Sequence, residues 1–164
     1  MSGYRVVPVA EEVVAEVRRT RTAPDYGHPA WLEEKHEAGA ACRVCLTRFA
    51  ADEPRLLFTF DAFRGRAVPP LPGPIYVHAA ECEPHDADTP LPPYFLGKPV
   101  TFQAYGEGRR LVVEREIHQD VEEAIADLLA SPEVFYIHAR SVDAGCYLFT
   151  VERAVEQATD ATRA

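Results

Sequence analysis

Three cysteines and one histidine constrain this chain more than anything else in it. They lie between Ala41 and Glu83, as Cys42-x-x-Cys45 at one end and His78-x-x-x-Cys82 at the other. Zinc prefers thiolate sulfur and imidazole nitrogen in a tetrahedron, and a closed set of four such ligands is the structural kind. A C-x-x-C turn aims two sulfurs at one ion, while His78 and Cys82 face the same way across one helical turn. The spacing predicts one structural Zn2+ held by Cys42, Cys45, His78 and Cys82, with residues 41–85 as the zinc-binding segment. His85, in Cys82-x-x-His85, and Cys146 are the alternatives that spacing leaves open for the place given to His78. Four protein ligands leave no position for an activated water, so the metal is read as scaffold.

The chain has 164 residues, of which 47% are hydrophobic, and that suffices for one domain with a core of its own. A metal is therefore not needed to make the whole chain fold. Its place is local, where many of the 14 prolines crowd between Pro69 and Pro99 and ordinary elements are excluded. No stretch approaches the roughly 18 apolar residues of a spanning helix, and Met1-Ser2-Gly3-Tyr4 lacks the charged and apolar regions of a signal peptide. The expectation is a cytoplasmic protein with no membrane segment. In a reducing compartment a C-x-x-C pair points to metal or redox chemistry before disulfides. A net charge of -9 argues against nucleic acid as a partner. Locally, Arg43, Arg48, Arg55, Arg64 and Arg66 outnumber the nearby acids, and a nucleic-acid surface would need them on one face.

Tyr4–Val9 reads as a strand. A helix follows over Ala10–Thr20, because Ala10, Val13, Val14 and Val17 recur at i, i+3, i+4 and i+7. Trp31–Glu37 is read as one or two helical turns ended by Gly39. Arg55–Phe60 and Ile75–His78 are strands around a Pro-rich loop, and Val100–Tyr105 with Arg110–Ile117 form a hairpin about Gly106-Glu107-Gly108-Arg109. The clearest helix is Val121–Ala130, with Asp120 as its N-cap and Glu123 as the capping-box partner. Val134–Ala139 and Tyr147–Val151 are the last strands. The fold class is α+β: a single domain over 1–155, mostly antiparallel sheet with two main helices, and a frayed tail over 156–164.

A second constellation lies in the polar loop between the last two strands, where His138, Arg140 and Cys146 collect. Loops on a rigid sheet are where binding groups usually sit. Arg140 can fork onto a carboxylate or phosphate, and Cys146 with His138 has the composition of a nucleophile and its base.

Two resemblances follow from these residues. Knuckle, strand pair and one-turn His/Cys pair resemble a treble-clef zinc finger, although the second pair of that family is more often spaced by two residues. The runs Cys42–Cys45, Gly73–Ala79 ending at Cys82, Ala104–Gly106, Arg140-Ser141 and Ala144–Tyr147 resemble the bacterial family catalogued as domain of unknown function 1203, from Tyr4 to Arg153. That resemblance implies a single-domain bacterial protein and supplies no activity. The leading expectation is a binding or interaction module with one structural zinc and an unknown protein or small-molecule partner. Two other expectations stand beside it: an enzyme using residues 138–146, and a thiol redox protein using the C-x-x-C.

Overall fold

The structure is a computed structural model in which residues 3–154 are described. The tail predicted to fray lies outside the described residues. Ten strands and three helices run in the order β1 (Tyr4–Val7), α1 (Glu11–Thr20), β2 (Trp31–Glu33), β3 (Gly39–Ala41), β4 (Arg48–Phe49), β5 (Arg55–Asp61), β6 (Pro72–His78), α2 (Pro93–Leu96), β7 (Val100–Tyr105), β8 (Leu111–Ile117), α3 (Val121–Leu129), β9 (Tyr136–Ser141) and β10 (Tyr147–Arg153). All pairings between these strands are antiparallel. This is the α+β fold of one domain that the pattern predicts.

The larger sheet has the order β1-β10-β9-β7-β8. Alternation decides what each face does. Phe102 and Ala104 of β7, Ile137 and Ala139 of β9, and Val151 of β10 are buried with Val121, Ile125 and Leu128 of α3 in the main core. The alternate residues of β7 and β9, Tyr105, Tyr136 and His138, are also buried, against Phe63 from the loop after β5. The β7–β8 hairpin turns as expected, through a 3-10 turn at Glu107–Arg109. Gly106 is required at its start, because a Cβ there would lie 2.7 Å from the Glu133 carbonyl oxygen.

Strand β3 pairs with β4 in a separate two-stranded ribbon, and the smaller of the two main sheets has the order β2-β5-β6. Helix α1 covers it with Val13, Val14 and Val17, which join Leu56, Phe58, Ile75 and Val77 in a second core. Burying each valine is worth about 1.5–3 kcal/mol before entropy is counted. The helix ends where Arg21 turns left-handed (φ 57°) and its N–H reaches the Val17 carbonyl at 2.7 Å.

Three local expectations are corrected. Trp31–Glu33 is not helical; it pairs with Arg55–Leu57 as an edge strand, so tertiary pairing overrides a weak local pattern. Asp120 does precede α3, but in the left-handed region (φ 56°, ψ 47°), and it makes no side-chain cap bond. A capping aspartate needs extended backbone to aim its carboxylate at the first turn. Finally, residues 79–92 contain no helix, so the treble-clef helix that His78–Cys82 was expected to start is absent.

The two sheets are tied through Arg43, a residue inside the C-x-x-C motif. Its backbone N–H donates to Tyr76 O of β6 (3.1 Å), and its carbonyl accepts from Val9 N–H (3.0 Å). The side chain, 5% exposed, donates through Nε to Tyr147 O of β10 at 2.6 Å and through Nη1 to Ala41 O. One buried guanidinium thus joins the knuckle to the larger sheet. Arg43→Met removes the donors that Arg43 supplies to both carbonyls and is expected to lower unfolding free energy by about 2–4 kcal/mol. Arg48→Met, at an exposed position, is expected to stay within about 0.5 kcal/mol. Denaturant titration of both variants checks the contrast.

Candidate metal centre

The knuckle forms after the short strand β3. Cys42 N–H donates to Thr47 O (3.0 Å) and Leu46 N–H to Cys42 O (2.8 Å), which folds Cys42–Cys45 into a tight turn. Leu46 closes it with a positive φ of 59°, a conformation that disfavours a branched side chain. Its burial in the main core holds it there. Strand β6 delivers His78 at its end, and the loop beyond it brings back Cys82. His85 N–H donates to Val44 O (2.9 Å), which fastens that loop to the knuckle.

Cys42, Cys45, His78 and Cys82 offer ligand atoms that all lie within 4.8 Å of one another, and together they can hold a metal ion. Two of the separations are informative. Cys42 Sγ and Cys82 Sγ are 3.8 Å apart, and Cys45 Sγ and His78 Nδ1 are 3.5 Å apart. For Zn–S near 2.3 Å and Zn–N near 2.05 Å, the edges of a regular tetrahedron are about 3.8 Å for S···S and about 3.6 Å for S···N. These two separations match the edges of such a tetrahedron. All four cysteines are free thiols, so no disulfide competes for these sulfurs.

The groups around the cluster orient it. His78 Nε2 lies 3.1 Å from Glu53 Oε2, which fixes a proton on Nε2 and leaves Nδ1 to face Cys45. Cys42 Sγ accepts the backbone N–H groups of Val44 (3.5 Å) and His78 (3.3 Å). Arg18 of α1 donates through Nη2 to Cys82 Sγ (3.3 Å) and through Nε to His78 O (3.1 Å). Thr47 Oγ1 is 2.9 Å from Cys45 Sγ. Three thiolates around a divalent cation leave one net negative charge, and the Arg18 guanidinium offsets it.

Without metal the cluster shares its protons unevenly. Cys45 is held low, first by the Cys42 thiol donating to it and then by His78 and Thr47. Cys42 is pushed up by donating to Cys45 and by burial, and Cys82 by burial first. His78 is raised chiefly by its bond to the Cys45 sulfur. One thiolate stabilised by surrounding donors is the state this arrangement favours.

The alternatives for the fourth ligand fall outside the cluster. His85 lines the shallow hollow beside it with its Nε2 buried and unpartnered, and Cys146 sits elsewhere, just before β10. Arg18, Glu53 and Thr47 are the contributors that sequence reasoning missed. Nothing in the spacing marks them, because Arg18 arrives from a helix 24 residues before the knuckle and Glu53 from a turn.

The second constellation is only partly assembled. Arg140 and Cys146 line one cavity. His138 is fully buried, enclosed by Phe63, Tyr105, Tyr136 and Tyr147 at ring distances of 4.6, 5.3, 5.2 and 5.2 Å. Neither of its nitrogens has a hydrogen-bond partner, so it makes no bond to Cys146. Burial first, then Arg140, Arg66 and Arg109, push its pKa down to about 3. An imidazole so reluctant to take a proton is a poor general base.

The five arginines do not form one face. Arg43 and Arg55 are buried, the latter stacked on Phe49 at 4.2 Å and bonded to Ala50 O (3.1 Å). Arg64 pairs with Asp25 (2.8 Å), and Arg66 stacks on Tyr136. Among the described residues, no helix is long and apolar enough to cross a membrane.

Comparison with curated proteins and with solved structures gives no match. A family match covers residues 39–153, from β3 to the end of β10, and so takes in all four residues of the metal cluster, Arg43, and the Arg140–Cys146 loop. The chain belongs to the DUF1203 family, described as a protein of unknown function.

Proposed function

We propose that this protein is a small binding module whose smaller sheet is organised on one structural Zn2+, held by Cys42, Cys45, His78 and Cys82. The observation that carries the reading is the match of the Cys42–Cys82 and Cys45–His78 separations, 3.8 and 3.5 Å, to the edges of a zinc tetrahedron. A donor set of three sulfurs and one imidazole selects zinc over oxygen-preferring cations. Its four ligands fill the coordination sphere, and backbone N–H groups, Glu53 and Arg18 surround it, as in sites that support a fold rather than a reaction. The redox reading of Cys42-x-x-Cys45 loses ground for a related reason. Cys42 is fully buried, and the motif sits in a knuckle instead of opening a helix.

Metal content by mass spectrometry, on protein purified without added metal, tests the reading. One zinc per native chain is expected, lost in Cys82→Ser and kept in Cys146→Ser; a native chain without zinc overturns it. Glu53→Gln is expected to weaken zinc binding about 10- to 100-fold, measured by competition with a chelator.

The proton balance gives a further check. Cys42 and Cys82 are raised and so carry their protons near neutrality, Cys45 is already a thiolate, and His78 is raised and partly charged. Zinc must displace the protons from Cys42, Cys82 and the charged fraction of His78. Loading at neutral pH is therefore expected to release about two to three protons per ion, so affinity falls as pH falls. Calorimetry in buffers of different ionisation enthalpy measures that number.

A further inference from the structure

The two sheets leave a cavity of about 750 Å³ between them, within the size range of small-molecule sites. Phe60, Leu71 and Pro72, from β5, β6 and their connecting loop, form an apolar wall. Gln103, Arg140 and Tyr147 of the larger sheet face it from the other side, and Cys146 stands at its edge.

Arg140 is the cation among the residues lining this cavity, and no carboxylate pairs with it. Its Nε donates to Gln103 Oε1 (2.9 Å) and its Nη1 to Gly145 O (3.0 Å), both neutral acceptors. Tyr105 also donates to Gln103 Oε1 at 2.9 Å, so the amide that orients the guanidinium is itself fixed. Nη2 is buried with no partner, and only two of the five guanidinium N–H groups are used. Two acids also line the cavity from β8, and neither is paired with Arg140. Glu114 accepts from Gln103 Nε2 (2.7 Å), and Glu116 lies 2.6 Å from His118 Nε2.

Two other arginines lie close by, on the side of His138. Arg109 stacks on Phe63 with a buried, unpartnered Nε and makes no ion pair among the described residues. Arg66 meets a carboxylate only at 3.7 Å, from Glu152. The imidazole among them is uncharged. A desolvated, oriented guanidinium with unused N–H groups is complementary to a negative group.

We propose that this cavity binds a small organic anion, a carboxylate or phosphate on an apolar body, with the charged group docked on Arg140 and the body against Phe60, Leu71 and Pro72. The proposal rests on reading the chain as a binding module; it does not require the metal to take part in binding.

The test is calorimetric titration of the zinc-loaded full chain with benzoate and with phenyl phosphate, and with benzyl alcohol as the neutral compound of the same body. At least one anion is expected to bind, more tightly than benzyl alcohol by about tenfold or more. Whichever anion binds better assigns the carboxylate or the phosphate. Arg140→Gln is expected to weaken binding at least about tenfold at unchanged zinc content, and Arg140→Lys, which keeps the charge and loses the fork, to weaken it less. In the native chain the bound anion is expected to slow alkylation of Cys146 by iodoacetamide, a readout that needs no variant. The proposal is overturned if neither anion binds at millimolar concentration, if benzyl alcohol binds as well, or if Arg140→Gln binds unchanged. A zinc-loaded chain that ignores both anions sinks this inference alone, whereas a chain without zinc sinks the metal reading.

Discussion

The convergence of three sulfurs and one imidazole on a single point is what the smaller half of this structure depends on. Residues 79–92 form a long connection with neither helix nor strand, rich in proline and acid. Such a segment has few ways to be held in a compact domain. Here its start is anchored at Cys82, beside the knuckle, and a little further on by the His85–Val44 backbone bond. A metal ion at that point would tie the far end of the 36 residues between Cys45 and Cys82, which include β5 and β6, back to the knuckle. The covering helix α1 also belongs to the arrangement, because Arg18 reaches both Cys82 and His78 from its last turn.

The knuckle joins the metal centre to the rest of the molecule. Of its two inner residues, Val44 packs in the second core and Arg43 crosses to β10. Arg43 bonds the carbonyl of Tyr147, the residue that follows Cys146 and lines the cavity between the sheets. The position of that cavity wall and the position of the cluster are therefore set by the same short turn.

How much of this was legible in the sequence varies with the range of the interaction. Strong periodic segments such as Val13–Val17 and Val121–Leu129, and the β5–β6 and β7–β8 pairs, could be read because their patterns are local. The four donors could be read because thiolate and imidazole are rare enough for spacing to carry meaning. Trp31–Glu33 was misread because its strand exists only by pairing with β5. The helix expected at His78–Cys82 was misread because one-turn spacing is also produced by a strand end followed by a returning loop. His138 and Cys146 are only eight residues apart, yet β9 sends the histidine under Phe63 while the connection after it leaves the cysteine at a cavity edge. Glu53, Arg18 and Arg43 act through contacts that no local pattern encodes.

The most direct test of the account is X-ray absorption at the zinc edge on the native protein purified without added metal. The account predicts a first shell of three sulfurs near 2.3 Å and one nitrogen near 2.0 Å, with no oxygen. A first shell containing water or carboxylate oxygen, or a preparation with no zinc to measure, would contradict it.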